Sequence, residues 1–171
     1  VQGSDNNNIS IIAGTGGGVD RGSDPGGNVT LVSNGNILVN SAITSLSRDG
    51  NGGDIELLSR NGRIETGNIT SRFRLLEGAL PLEATAGNIT IAATNGSVAV
   101  GNITSDSPTG RSGRVRITTG NITNRVGGLP LNINRNITVG NIDTISSAVG
   151  EDAGSITILT EQGGISTGRL I

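Results

Sequence analysis

The stretch AGNITIAATNGSVAVGNITS, residues 86–105, contains the phrase Gly-Asn-Ile-Thr twice, beginning at Gly87 and at Gly101. After the first phrase, Ile89 and Ile91 alternate with polar or small residues. This period of two indicates a β-strand and not a helix. An Asn-Gly pair follows, and both residue types readily adopt the left-handed backbone that a sharp corner requires. The stretch therefore predicts short strands joined by tight corners.

The same pattern recurs along the chain, and each copy has three short apolar segments separated by turn residues. An earlier, degenerate copy holds Ile9 and Ile11. In the copy that begins at Gly113, Gly-Asn-Ile follows after seven residues, whereas the copy at Gly87 takes fourteen. Residues 113–145 could therefore form one elaborated rung or two shortened ones. The remaining copies begin at Gly27, Gly53, Gly87 and Gly154.

A single turn of such a coil cannot bury its own Ile residues, because it has no second layer to close on. Stacked turns can, since each strand pairs with its equivalent in the next copy at about 4.8 Å and the Ile residues align in columns. We therefore predict that residues 1–171 form a single domain, a right-handed parallel β-helix that is triangular, with three short strands per rung and about five to six rungs. Asn and Thr are expected to form ladders along the stack. The competing interpretation, a β-sandwich, does not explain the regular corners.

Two intervals between copies are longer than the others, which predicts loop insertions at about 72–86 and 124–135. They share the phrases GALPL and GGLPL, and insertions in a solenoid collect on one corner or face. The first also contains Phe73, Leu75 and Leu76. These three apolar residues are candidates either for packing over the side of the helix or for contact with another subunit.

The composition argues against several function classes. His, Cys and Lys do not occur, which excludes catalytic triads, histidine bases, Ser-Lys dyads and thiolate zinc sites. Twelve basic residues face fourteen acidic ones without a basic cluster, so we expect no nucleic-acid partner. No apolar run approaches the roughly 20 residues of a membrane helix, and no transmembrane segment is expected. We predict no catalytic residues, no cofactor and no enzymatic activity.

Acidic residues are the remaining candidates for a binding site. The hexapeptide DGNGGD holds Asp49, Asn51 and Asp54, a weak calcium candidate that lacks the full EF-hand pattern. Solvated turn acids are the favoured interpretation, and no metal is predicted. The acids expected at the corner before the first strand of a copy are Asp20, Asp24, Asp49, Asp54, Asp106, Glu151 and Asp152. The acids expected inside strands, dispersed and facing solvent, are Glu56, Glu65, Asp143 and Glu161.

Repeats of the form GNITI, NGxI and GNITS, joined by Gly- and Ser-rich corners, resemble the filamentous haemagglutinin-like exoproteins of bacterial two-partner secretion, particularly the long repeat arrays of cyanobacteria. The resemblance implies export through a dedicated outer-membrane β-barrel transporter. It also implies an extracellular or cell-surface location and a role as an adhesin or surface fibre. The chain then corresponds to an interior segment of the shaft.

The end of the sequence suggests how such a shaft continues. Leu170 and Ile171 fall within the third strand of the last copy and are candidate interaction residues. An uncapped β-helix exposes unpaired backbone groups. We therefore expect the partner to be either another copy of the chain, stacked head to tail, or further rungs of the same polypeptide.

Two alternatives remain at this stage. Thr30, Thr90 and Thr157 recur at equivalent positions and could bind ice or another surface, but Glu56 and Arg116 interrupt the column. The second alternative is a glycan-active β-helical enzyme with carboxylates and Arg in an outward groove.

Overall fold

The computed structural model describes residues 11–14, 26–47, 50–73, 84–120 and 135–171. The regular structure in these ranges is entirely β. The strands are β1 (Ile11–Gly14), β2 (Val29–Ser33), β3 (Ile37–Val39), β4 (Ile43–Ser47), β5 (Ile55–Ser59), β6 (Ile64–Thr66), β7 (Ile69–Phe73), β8 (Ile89–Ala93), β9 (Val98–Val100), β10 (Ile103–Ser107), β11 (Val115–Thr119), β12 (Ile137–Val139), β13 (Ile142–Ser146), β14 (Ile156–Thr160) and β15 (Ile165–Thr167).

The strands form three parallel sheets of five strands each. Sheet A has the order β1-β4-β7-β10-β13, sheet B the order β2-β5-β8-β11-β14, and sheet C the order β3-β6-β9-β12-β15. From β2 onward the chain visits sheets B, C and A in turn, so three strands complete one rung. The prediction of a triangular parallel β-helix is confirmed, with about five rungs.

Equivalent apolar residues align across the rungs and form the core. Ile55 pairs in register with Ile89, and Ile89 with Val115. Each of these three side chains is at most 1% exposed. Burying one Ile or Val side chain stabilises the fold by about 1.5–3 kcal/mol. The stack is therefore held by columns of aliphatic residues that no single rung could bury.

The described residues of the segment from 113 to 145 belong to one rung, which answers the question that its irregular spacing left open. It contributes β11 to sheet B, β12 to sheet C and β13 to sheet A. Ile11, from the degenerate copy, lies in β1 and pairs with Ile43 in sheet A. Ile9 lies outside the described residues.

The two insertions lie at different corners of the helix, so they do not share one corner, although both corners border sheet B. The first separates β7 of sheet A from β8 of sheet B, whereas the second separates β11 of sheet B from β12 of sheet C. Each corner lies between strands, so added residues there need not disturb strand register. Residues 74–83 and 121–134 lie outside the described part of the chain.

The described ranges contain no helix that is long and apolar enough to cross a membrane.

Candidate functional site

Asparagine side chains connect successive rungs at the corners. Asn68 Oδ1 accepts the backbone N–H of Asn102 at 2.9 Å, and Asn102 Oδ1 accepts that of Asn141 at 2.9 Å. Asn141 Oδ1 in turn accepts the N–H of Arg169 at 2.9 Å. Ladders of Asn along the stack are thereby confirmed. In these Asn-Ile-Thr and Asn-Ile-Asp sequences, the Asn side chain links one rung to the next.

Buried serine hydroxyls also connect successive rungs. The sequence did not predict this contact. Ser71 Oγ donates to the Gly53 carbonyl at 3.0 Å and accepts the Gly87 N–H at 2.9 Å. Ser105 makes the equivalent bonds one rung later, to Gly87 O at 3.2 Å and from Gly113 N at 2.8 Å. Both serines are fully buried. Each therefore joins the corner glycines of two rungs from inside the core.

The outward surface of sheet B contains a concave feature, which we call the lateral face. It is a shallow depression of about 520 Å³ that crosses four rungs. Its polar lining residues are Asn28, Thr30, Asp54, Glu56, Asn88, Thr90, Arg114 and Arg116.

Charge on the lateral face is divided by rung. Asp54 and Glu56 belong to the rung of β5, and Arg114 and Arg116 to the rung of β11. The uncharged strand β8 separates them, with Thr90 paired to Glu56 on one side and to Arg116 on the other. Among the described residues, no ion pair joins Glu56, Arg114 or Arg116 to a charged side chain.

The described members of the calcium candidate have structural partners. Asp54 Oδ1 accepts the backbone N–H of Asn88 at 2.7 Å and its side-chain amide at 3.2 Å. Asn51 Oδ1 accepts the N–H of Thr85 at 2.9 Å. Asp49 lies outside the described residues. Asp54 thus takes the place that Asn has in neighbouring rungs, since Asn28 Oδ1 accepts the Asp54 N–H at 2.8 Å.

Two expected positions of acids are wrong. Asp106 lies inside β10 and not at a corner, where its carboxylate contacts Arg72 of the preceding rung at 2.6 Å. Glu161 follows β14 instead of lying within it, and it contacts Arg135 at 2.7 Å with only 21% of its side chain exposed. In both cases the carboxylate forms an ion pair with an arginine from a neighbouring rung. The repeat pattern in the sequence does not predict such pairs.

Other ion pairs lie at the surface. Glu151 and Asp152 lie before β14 and contact Arg111 at 3.1 and 3.7 Å. Glu65 faces solvent on sheet C and contacts Arg63 at 3.2 Å. Such exposed pairs contribute little to stability.

The last described rung exposes residues that belong to core columns. Leu170 forms a parallel bridge to Ile142, and Ile165 pairs with Ile137. Ile142 and Ile137 are fully buried, but Leu170 is 48% exposed and Ile165 is 47% exposed. Ile171 lies beside them and is 46% exposed. We call these three exposed side chains the end surface.

Phe73, a candidate either for packing over the side of the helix or for contact with another subunit, is buried. It lies at the end of β7 and is only 1% exposed, so its ring packs within the chain. Leu75 and Leu76 lie outside the described residues.

No protein-family model, curated protein or solved structure matches this chain.

Proposed function

We propose that this chain is a structural or adhesive shaft segment of a secreted exoprotein or extracellular fibre, and that its rungs continue through the end surface. The observation that carries the proposal is the contrast within one core column. Leu170 is 48% exposed, whereas its column neighbour Ile142 is fully buried. An apolar surface with unpaired strand edges favours the addition of another layer.

The added layer has two possible sources. Further rungs of the same polypeptide would cover the end surface, or a second copy could stack head to tail. A head-to-tail contact repeats without closing and generates a filament. Either source gives a shaft whose length is set by the number of rungs.

Secretion and surface display are supported by the repeat resemblance to filamentous haemagglutinin-like exoproteins. The absence of Cys from the sequence is compatible with an oxidising exterior. On this proposal the partner during export is an outer-membrane β-barrel transporter. The mature location is extracellular or at the cell surface.

Sedimentation velocity across a concentration series of the 171-residue chain tests the proposal. We expect the sedimentation coefficient to rise with concentration, even at high salt, because the end contact is apolar. Leu170→Arg should suppress this rise. Leu38→Arg is a matched control, because Leu38 is 49% exposed but points outward from sheet C. A chain that stays monomeric at high concentration would count against end-to-end stacking.

A glycan-active enzyme has one observation in its favour, which is that Asp54 and Glu56 line the same outward depression. Release of reducing ends from a panel of polysaccharides, lost in Glu56→Gln, would support it. We favour the structural role because Asp54 already accepts two hydrogen bonds from Asn88. The ice-binding alternative is weakened by the register, which places Glu56 and Arg116 within the threonine column.

A further inference from the structure

The lateral face has a charge order that changes sign about its central rung. Along one column the aligned residues are Thr30, Glu56, Thr90, Arg116 and Thr157. The neighbouring column, linked by hydrogen bonds, runs Asn28, Asp54, Asn88 and Arg114. Reversing the first order about Thr90 exchanges Glu56 with Arg116. The same exchange about Asn88, which lies in the rung of Thr90, places Arg114 where Asp54 was.

We propose that two copies of this chain associate side by side through their lateral faces, with their long axes antiparallel. The two-fold axis lies in the interface and runs along β8. It places Glu56 opposite Arg116 of the other copy, and Asp54 opposite Arg114 of the other copy. A two-fold interface makes each contact twice, so four oppositely charged pairs form.

Apolar residues on the same side of sheet B follow the same symmetry. Val32 in β2 and Leu159 in β14 lie two residues beyond Thr30 and Thr157 and point to the same face. They are 59% and 40% exposed. The proposed axis exchanges the rung of β2 with that of β14, so Val32 faces Leu159 of the other copy. An apolar contact therefore flanks each end of the charged centre.

The charge order also selects the antiparallel arrangement. If the two copies were parallel with their rungs aligned, the rung of Asp54 and Glu56 would face the same rung of the other copy. The arginines would likewise face arginines. Like charges placed directly opposite are unfavourable, so of the two arrangements with aligned rungs only the antiparallel one is complementary.

This association does not rest on the proposed end-to-end stacking, because the two use different surfaces. It is tested in the Leu170→Arg background, which removes the end contact. We expect a dimer at low salt, and a dissociation constant that rises steeply as salt screens the charges.

Charge-reversal variants test the proposed pairing of Glu56 with Arg116 most directly. Glu56→Arg alone and Arg116→Glu alone each place like charges opposite one another at two positions, so each dissociation constant should rise about tenfold or more. An equimolar mixture of the two variants restores opposite charges at both positions and should form a 1:1 heterodimer. Sedimentation equilibrium measures all three samples.

Glu65→Arg is the control for net charge, because Glu65 faces solvent on sheet C. It should leave the dimer unchanged. A chain that is monomeric at low salt would overturn the proposal, as would a mixture of Glu56→Arg and Arg116→Glu that remains monomeric. Circular dichroism of each variant shows whether the fold is retained.

Cross-linking identifies the face that forms the interface. The chain contains no Cys, so Thr90→Cys introduces a single thiol beside the proposed axis. A short bismaleimide should link two copies of the Thr90→Cys chain at low salt. Thr44→Cys, which lies on sheet A, should not be linked. Equal cross-linking of both variants would contradict the assigned face.

Discussion

At the scale of single residues, the corners depend on contacts between glycine backbones and buried hydroxyls. Ser71 bridges the Gly53 carbonyl and the Gly87 N–H inside the core. In the sequence, this serine is only the last residue of an Ile-Thr-Ser motif. The hydrogen bonds of Ser71 could not be predicted from it, because the two bonded glycines are 18 and 16 residues away.

Ser71→Ala should lower the free energy of unfolding by about 1–3 kcal/mol, because it leaves a buried donor and a buried acceptor without a partner. Urea denaturation followed by circular dichroism measures the change. Ser166→Ala is the matched control, since Ser166 is exposed in β15. Equal effects of the two substitutions would show that the buried bridge contributes nothing.

The corner glycines make a second prediction at this scale. A Cβ added at Gly113 would overlap the carbonyl oxygen of Gly87 in the preceding rung. A Cβ added at Gly35 would meet no atom within 4 Å. Gly113→Ala should therefore cost about 1–3 kcal/mol or more through overpacking, and Gly35→Ala should be nearly neutral. Thermal unfolding of both variants provides the comparison. Equal melting temperatures would contradict the close stacking of these corners.

At the scale of strands and corners, the sequence predicts what repeats and misses what does not. The period-two alternation of Ile89 and Ile91 correctly predicts inward-facing strand residues, because burial imposes the same pattern on every rung. The lengths of the insertions did not predict the corner of the helix at which each one lies. The ion-pair partners of Asp106 and Glu161 were not predictable either, because each partner is an arginine from another rung.

The lateral face was only partly predictable. The sequence correctly indicates that Glu56 and Arg116 share a column with the threonines. The copies that begin at Gly53 and Gly113 also give Asp54 and Arg114 equivalent positions, but the sequence does not show that these corners are joined from rung to rung. The hydrogen-bonded ladder through Asn88 establishes that alignment.

The corner that contains Asn51 and Asp54 leads to a prediction about calcium. A ligand that binds only the folded state at a hundredfold excess over its Kd raises stability by about 2.7 kcal/mol. Since both side chains already serve as acceptors between rungs, melting curves with calcium and with chelator should coincide. An upward shift with calcium that Asp49→Asn abolishes would establish a site.

At the scale of the whole molecule, the rungs create two kinds of surface. The end surface is apolar and repeats the core, so it suits growth along the axis. The lateral face is charged and self-complementary, so it suits pairing of shafts side by side. Salt separates the two experimentally, because it screens the charges and leaves the apolar contact intact.

The measurement that tests the stacked coil most directly is a set of distances between spin labels along one column of sheet B. Thr30→Cys is combined in turn with Thr90→Cys, Arg116→Cys and Thr157→Cys, and the doubly labelled chains are diluted with unlabelled chain at high salt. Successive rungs separated by about 4.8 Å predict distances that rise in order to about 10, 14 and 19 Å. Distances that do not increase in this order would contradict a β-helix in which equivalent residues of each repeat lie one above another.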